Sequence, residues 1–370
     1  RNAHKALLYA AALLDFDIRW LWPAAENAGA LCSCPISAQI LTTALQELIG
    51  QGSTPFGVYV TSPDYLGGMQ DIRALSAVCD TFGVPLLVDN AHGAYLRFLP
   101  GEPLHPIALG AAMCCDSAHK TLPVVTGGAY LHLGENAPVQ EEAAVRGALA
   151  LFGSTSPSYL ILQSLDACNR QLTESYPAGL QRCCSRLSAL RGELNAATQA
   201  AGCPVPLALD GPGREPLKLT LDAAALGMTG TALADALRGG QLECEYADLR
   251  YVVLMFTPCN PPQDYARLRI VLRQCLHSLP AAGGLLQPEE LAGEFVALAQ
   301  QARAHCTIRQ AVFVPQERIP VQQALGRICA MPTVSCPPAI PIAVSGEEIT
   351  PAALELMQRY GVTEVSVLRR

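Results

Sequence analysis

The feature that most constrains the fold of this chain is the alternation of short apolar segments with helix-forming segments. Helices are predicted over residues 5–14, 37–49 and 71–82, and strands over 57–61, 85–89, 112–117 and 128–133. Strands that alternate with helices favour a mixed, mostly parallel sheet whose two faces are covered by helices. We therefore predict an α/β major domain.

Local signals support these elements. Ser37 is a plausible N-cap for the second helix, and Gly83 is a natural stop for the third. Residues 18–22 predict a further short strand. In open α/β sheets, ligands bind beyond the carboxyl ends of strands. Asp89 and Lys120 each follow a predicted strand, so we expect the chemistry at that edge.

The remainder of the chain predicts two smaller units. The segment 158–200 is helical with an interruption at 177–179, and strands at 217–221 and 251–257 flank a helix at 229–238. Residues 280–290 predict a linker, and a proline-rich unit centred on 336–341 follows. We predict a major domain, a small α+β domain and a C-terminal α+β domain at residues 1–175, 176–285 and 300–370.

Composition excludes several classes of protein. Half of the residues are hydrophobic and 15% are charged, which is typical of a globular chain. The net charge is −7 and no basic cluster occurs, so no nucleic-acid partner is expected. No signal peptide or membrane-length apolar run is evident, so no membrane partner is expected. The 15 cysteines are scattered without CxxC spacing, which indicates free thiols in a reducing cytoplasm and no metal site.

Four residues suggest cofactor chemistry. A pyridoxal phosphate (PLP) enzyme needs a lysine for a Schiff base, a carboxylate against the pyridine nitrogen, a flat group on the ring and donors for the phosphate. Lys120, Asp89, His92 and His4 supply candidates for the first three. Singly, Asp89 could be a turn residue, His92 a core histidine and Lys120 a surface lysine. Their order along the chain supports the PLP hypothesis.

Several stretches resemble the Orn/Lys/Arg decarboxylase family, the bacterial basic amino-acid decarboxylases among fold-type-I PLP enzymes. They run in order along nearly the whole chain: residues 1–5 (RNAHK), 61–67 (TSPDYLG), 86–93 (LLVDNAHG), 117–122 (SAHKTL), 154–159 (STSPSY), 164–166 (SLD), 218–222 (KLTLD), 326–328 (GRI), 337–338 (PP) and 346–347 (GE). The resemblance implies a fold-type-I major domain with PLP as cofactor.

The resemblance also implies a role for each matching position. Lys120 would bind the PLP aldehyde, Asp89 would pair with the pyridine nitrogen, and His4 would stack on the ring. The other positions are expected around the cofactor or at a shared dimer site: Ala91 and His92 beside the ring, Ser117 and His119 near the phosphate and the reacting centre, and Thr155 and Ser156 reaching into a neighbouring subunit. Lys120 or His119 would return a proton to the substrate carbon.

The implied reaction is decarboxylation of arginine, lysine or ornithine to an amine used in polyamine-related metabolism, by a homodimer or larger oligomer. An aminotransferase or another PLP lyase of the same fold is an alternative, because fold does not determine reaction. A truncated, inactive paralogue that acts as a dimerising subunit is a third. The chain opens on Arg1 rather than Met, so we expect it to lack an N-terminal portion that carries the phosphate-binding loop, and to bind PLP weakly alone.

Three positions depart from the family pattern. Asn90 replaces a common Glu, Asp64 replaces a Thr, and Ala6 replaces a Ser. The receptor for the distal cationic group of the substrate is left open among four acids, which could equally be solvated surface groups: Asp64, Glu243, Glu245 and Asp248.

Overall fold

The computed structural model describes residues 1–27, 29–154, 156–203, 205–277, 288–332 and 340–369. Its major sheet contains four strands in sequential order: β1 (Val58–Thr61), β2 (Leu86–Asp89), β3 (Met113–Asp116) and β4 (Tyr130–Leu133). The first three strands are parallel, and β4 runs antiparallel to β3. The predicted mixed, mostly parallel sheet is therefore confirmed.

Three helices of this unit begin and end close to their predicted bounds: α1 (Lys5–Leu14), α2 (Ala38–Gly50) and α3 (Ile72–Phe82). A short helix that was not predicted, α4 (Ala118–Thr121), follows β3. The Ser37 hydroxyl accepts a hydrogen bond from the Ile40 amide at 3.2 Å, as expected of an N-cap. Gly83 ends α3 at φ 64°, a conformation that favours glycine. Both local predictions are confirmed.

The core of the major unit lies between the sheet and the helices α2 and α3. Leu41, Leu75 and Leu86 are each no more than 1% exposed there. Burying a leucine side chain contributes about 1.5–3 kcal/mol relative to leaving it exposed. This packing presses the helices onto one face of the sheet and leaves the carboxyl ends of β2 and β3 available for polar groups.

The predicted strand at 18–22 is wrong. That segment is irregular and forms no strand. Two of its side chains have another role, because the rings of Trp20 and Trp22 lie 5.3 and 5.2 Å from the Arg1 guanidinium carbon. Aromatic residues at alternate positions satisfied the strand pattern, but they serve cation–π contacts instead of sheet pairing.

The central part of the chain forms a helical stretch followed by a small α+β unit. Its helices are α5 (Glu142–Phe152), α6 (Tyr159–Thr173), α7 (Tyr176–Ala200), α8 (Gly230–Gly239) and α9 (Pro262–His277). Its antiparallel sheet has the order β5-β7-β6, with β5 (Lys218–Asp222), β6 (Tyr246–Ala247) and β7 (Tyr251–Met255). The helix break lies at residues 174–175 rather than 177–179, since Pro177 occupies the first turn of α7, where its missing N–H costs nothing.

The C-terminal unit contains three helices and a two-stranded antiparallel sheet: α10 (Pro288–Gln301), α11 (Ile308–Phe313), α12 (Pro351–Arg359), β8 (Gln316–Pro320) and β9 (Glu364–Leu368). Most of the predicted linker lies outside the described residues, but its last three residues belong to α10. Most of the proline-rich segment 336–341 also lies outside them. The three predicted domain boundaries stay a prediction.

A buried ion pair joins the first residues of the chain to this C-terminal unit. The Arg1 guanidinium donates to Glu347 Oε1 and Oε2 at 2.9 Å each and to the Ile342 carbonyl oxygen at 2.9 Å. The Arg1 side chain is 2% exposed, so these contacts are desolvated and charge-assisted. Across the described ranges, the chain contains no helix with the length and apolarity that a membrane crossing requires.

Candidate active site

The carboxyl ends of β2 and β3 place the predicted residues together. Thr61 pairs with Asp89 across β1 and β2, and Asp89 pairs with Cys115 across β2 and β3. The chain leaves β3 through Ser117 and turns at once into α4, which carries His119 and Lys120. The parallel register thus brings the carboxylate at the end of β2 and the amine after β3 to the same edge of the sheet.

Lys120 contacts His92 directly. The Lys120 Nζ lies 3.2 Å from His92 Nε2, and the imidazole is 4% exposed. Burial lowers the pKa of His92 well below its ordinary value, and the charges of Lys218 and Lys120 lower it further. The ring is therefore neutral and can accept a hydrogen bond from the lysine amine.

The environment of Lys120 favours its neutral amine. Burial lowers the pKa of Lys120 from its ordinary value, while the charges of Asp89 and Glu245 oppose this shift. A neutral amine carries the lone pair that attacks a carbonyl carbon. This site can therefore present a nucleophilic lysine at a lower pH than a solvated lysine would.

Asp89 is oriented by hydrogen bonds on both carboxylate oxygens. The Tyr59 hydroxyl donates to Oδ2 at 2.8 Å, and the Ala91 amide donates to Oδ1 at 3.1 Å. Burial raises the pKa of Tyr59 well above its ordinary value, and the negative charge of Asp89 adds to the rise, so the phenol stays a donor. Sequence reasoning missed Tyr59, whose only signal is its position on the strand next to Asp89.

The two remaining histidines are placed differently. His4 is exposed at the N-terminus of α1, where its Nδ1 accepts a hydrogen bond from the Ala6 amide at 3.2 Å. Its pKa is lowered by burial first and by the charge of Lys120, against the opposing charge of Asp89, which indicates proximity to both groups. His119 Nδ1 donates to the Gly128 carbonyl oxygen at 2.9 Å, which leaves Nε2 with the lone pair in the neutral ring.

Of the two residues predicted to reach into a neighbouring subunit, only Ser156 lies within the described residues. Thr155 lies outside the described residues. Ser156 is exposed, and its amide hydrogen-bonds the Ser154 hydroxyl at 3.1 Å. Ser117 is half-buried directly before α4, so it remains close to the candidate site.

The small α+β unit contributes the candidate acid Glu245 and Lys218, to which the sequence analysis gave no role in the site. Lys218 is 3% exposed, and its Nζ donates to the Asp64 carbonyl oxygen at 2.7 Å. The same Nζ lies 5.5 Å from the centre of the Tyr65 ring, which also meets the His92 ring edge-on at 4.9 Å. The Tyr65 hydroxyl donates to Glu245 Oε1 at 2.7 Å. A chain of contacts therefore runs from Lys120 through His92 and Tyr65 to Glu245.

The four candidate acids separate by their partners. Asp64 is buried and accepts from the Ser33 hydroxyl at 2.9 Å and the Gly68 amide at 2.8 Å. Asp248 is buried and accepts from the Tyr246 hydroxyl, and exposed Glu243 pairs with Arg238 on the surface. Glu245 is half-buried, and its charge acts on Lys120. Of these four acids, Glu245 is the one whose charge acts on Lys120.

An apolar cavity lies beside this group of residues. It has a volume of about 630 Å³ and is mostly apolar, and its walls include Tyr59, Thr61 and Leu87. Its lining touches the tyrosine that holds Asp89 but includes neither Lys120 nor His92. We assign the chemistry from the polar groups rather than from the volume, because reactivity requires the amine.

Comparison with known proteins identifies the family. Residues 1–211 match the model of the Orn/Lys/Arg decarboxylase major domain, and residues 291–362 match that of its C-terminal domain. The chain is 28% identical over 358 residues to a Bacillus subtilis arginine decarboxylase, covering 95% of this chain and 70% of the relative. A Bacillus anthracis arginine decarboxylase is 26% identical over 366 residues, covering 97% and 71%.

Solved structures share the fold. The Escherichia coli constitutive lysine decarboxylase superposes with a TM-score of 0.73 at 19% identity, and the Francisella novicida lysine decarboxylase with 0.76 at 17%. Both matches cover 100% of this chain but only 66% and 65% of those chains, so this chain spans about two thirds of their length. The predicted fold-type-I PLP fold is confirmed, and the chain belongs to the Orn/Lys/Arg decarboxylase family.

Proposed function

We propose that this chain provides the catalytic centre of a PLP-dependent decarboxylase that converts a basic amino acid to its amine and CO₂. The observation that carries the proposal is the half-buried Lys120 amine, whose pKa is lowered by burial, in contact with a neutral His92 and close to Asp89. The amine product would belong to polyamine-related metabolism. The reducing cytoplasm is the proposed location, in keeping with free thiols at every cysteine in the described ranges.

The donor set fits PLP. Lys120 offers an amine for the aldehyde, and Asp89, already oriented by Tyr59 and Ala91, offers a carboxylate for the pyridine nitrogen. His4, whose side chain is exposed, would cover the ring. When bound, PLP supplies an electron-withdrawing ring that allows the substrate carboxylate to leave as CO₂.

The side chains of this chain would perform four tasks. Lys120 receives the cofactor and later takes part in proton return, because its amine can exist in the neutral form. His92 accepts a hydrogen bond from Lys120 and keeps the amine at the edge of the sheet. His119 Nε2 can take up or return a proton, since Nδ1 is committed to the Gly128 carbonyl. Tyr59 keeps Asp89 in one orientation.

Glu245 is our proposed receptor for the cationic end of the substrate. It is half-buried, and the Tyr65 hydroxyl fixes one of its oxygens at 2.7 Å. The other three candidate acids are already occupied by donors within the fold or by a surface arginine. Whether the substrate is arginine, lysine or ornithine depends on the distance this carboxylate allows. Replacing Glu245 with Gln is expected to raise KM for the basic substrate more than it lowers kcat.

The lysine content makes a sharp test possible. The chain contains three lysines, Lys5, Lys120 and Lys218. After incubation with PLP and reduction with borohydride, peptide mass spectrometry is expected to find the cofactor on Lys120. Lys120→Ala should abolish the adduct and CO₂ release, whereas the control Lys5→Arg should retain both. Cofactor on Lys5 or Lys218 instead would contradict the proposal.

A substrate panel distinguishes the reaction types. CO₂ release from arginine, lysine and ornithine supports a decarboxylase, while formation of an oxo acid without CO₂ would indicate an aminotransferase. The panel should use both this chain and a longer protein that includes any preceding segment, so that a cofactor-binding defect of the shorter chain is not mistaken for a different reaction.

We also propose a homodimer. Large apolar side chains stand exposed on α5 and α6, on either side of Ser156, and the most exposed are Leu151 at 79% and Tyr159 at 85%. Exposed apolar patches of this kind mark interaction surfaces. A second copy that covers them would bring residues near Ser156 toward a neighbouring site. Leu151→Glu with Leu160→Glu should give a monomer in light scattering, whereas Phe313→Glu, at a position on α11 that is 62% exposed, should not.

A further inference from the structure

A second polar cluster lies at the edge of the sheet, beneath the turn that leads to Lys120. Asp116 ends β3, His132 lies on β4, and His105 lies on the loop that precedes them. The His105 and His132 Nε2 atoms lie 3.1 and 3.0 Å from the same oxygen, Asp116 Oδ2. All three ligand atoms lie within 4.8 Å of one another. Two imidazoles and a carboxylate that converge on one point are a typical donor set for a first-row divalent metal.

The separations between these atoms are close to those around a bound ion. In a tetrahedral zinc site, with Zn–N about 2.0–2.1 Å, neighbouring nitrogen and oxygen ligand atoms are about 3.3–3.4 Å apart. The two histidine–carboxylate separations, 3.1 and 3.0 Å, are a few tenths of an ångström shorter, so a small outward shift of the histidines would admit an ion. Cys114 Sγ approaches the other carboxylate oxygen, Asp116 Oδ1, at 3.8 Å.

A hydrogen bond that orients the Asp116 carboxylate and a route by which an ion could enter are also present. Asn90 Nδ2 donates to Asp116 Oδ1 at 2.6 Å, so an outer amide orients the carboxylate as in many metal sites. The His132 side chain is 38% exposed, whereas His105 is 4% exposed, so an ion could reach the cluster from the side of β4.

We propose that His105, Asp116 and His132 bind one Zn²⁺ ion. The site joins the loop before β3 to both β3 and β4, directly before the segment that carries Lys120. Zinc would stabilise this edge of the sheet and thereby the position of α4. The site is separate from the proposed PLP centre and does not depend on the proposed reaction.

The first test measures stoichiometry and ligand identity. Protein stripped with EDTA is titrated with ZnCl₂ by calorimetry and analysed for bound metal after dialysis. One ion per chain is expected. Removing a residue that only hydrogen-bonds a metal ligand typically lowers metal affinity about 10–100-fold. Asp116→Asn and His132→Gln change the ligands themselves, so they should weaken zinc binding at least about 100-fold. His277→Gln, at an exposed histidine distant from the cluster, is the matched control and should bind like the wild type.

The second test examines the coordination geometry and guards against misfolding. With Co²⁺ as probe, the wild type should show the intense visible bands of a tetrahedral ion, and Asp116→Asn should lose them. Zinc at 100 times its Kd should lower the unfolding constant of the wild type about 100-fold and that of Asp116→Asn hardly at all. Absence of stoichiometric binding, or equal affinity in Asp116→Asn and His277→Gln when both are folded by circular dichroism, would overturn the proposal.

Discussion

The neutrality of His92 predicts a specific loss of stability in acid. The ring is 4% exposed, and its pKa in the folded protein is lowered well below the ordinary value of 6.5, first by burial and then by the charges of Lys218 and Lys120. In the unfolded chain the same ring binds a proton at its ordinary pKa. The unfolded state therefore takes up more protons than the folded state as the pH falls below 6.5.

The size of the effect follows from proton linkage. Stability is fully present above the unfolded pKa and declines as the pH falls, until the folded pKa is reached. For a ring that stays neutral in the fold down to pH 5, the loss between pH 7 and pH 5 is about 2 kcal/mol. His4, whose pKa is also lowered, adds in the same direction, but it is exposed and is expected to add less. Asp64 and Glu215, buried carboxyls with raised pKa values, act in the opposite direction.

The assay compares variants so that these other groups cancel. Urea unfolding of PLP-free wild type, His92→Gln and His277→Gln at pH 7, 6 and 5 gives the free energy of unfolding at each pH. We expect His92→Gln to lose about 2 kcal/mol less than the wild type between pH 7 and pH 5. His277→Gln removes an exposed histidine and should follow the wild type. Parallel pH curves for wild type and His92→Gln would refute the claim that the fold holds this ring neutral.

Substitutions at three positions, measured by urea unfolding, test the packing and capping of the fold. Leu187→Ala on α7 removes a side chain that is 0% exposed and should lower the free energy of unfolding by about 2–5 kcal/mol. A loss below about 1 kcal/mol would contradict its place in the core. Ser37→Ala should cost about 1 kcal/mol because the Ile40 amide loses its acceptor, whereas Ser37→Gly should cost a few tenths. Asp222→Asn should cost about 1–3 kcal/mol, since it weakens the bidentate contact with Arg250, and an unchanged midpoint would contradict this.

Much of the major unit could be predicted because its signals are local. The apolar runs end at polar residues, so the bounds of β2 and β3 followed from the residues themselves. The prediction failed at residues 18–22, where alternating aromatic residues imitate a strand but cover the Arg1 guanidinium. The periodicity of a segment indicates which of its side chains are apolar, but it does not indicate which residues they pack against.

The candidate site was predictable only in part. Lys120, His92 and Asp89 follow predicted strands, and the parallel register brings them together. Tyr65 and Glu245 are 180 positions apart, so their hydrogen bond depends on how the small unit packs against the sheet. The histidine–aspartate cluster was missed for a similar reason: its members are 11 and 16 positions from Asp116 on different elements, and metal spacing rules based on cysteine pairs do not detect it.

The ion pair between Arg1 and Glu347 links the C-terminal unit to the segment that carries His4, the residue proposed to cover the cofactor. His4 follows Arg1 by three positions, so the residue expected to cover the PLP ring is tethered through a desolvated guanidinium to a region far along the chain. A substitution at Glu347 would remove this ion pair without changing any residue that is proposed to react. With Glu347 substituted, activity is expected to fall at low PLP concentration and to return when PLP is abundant.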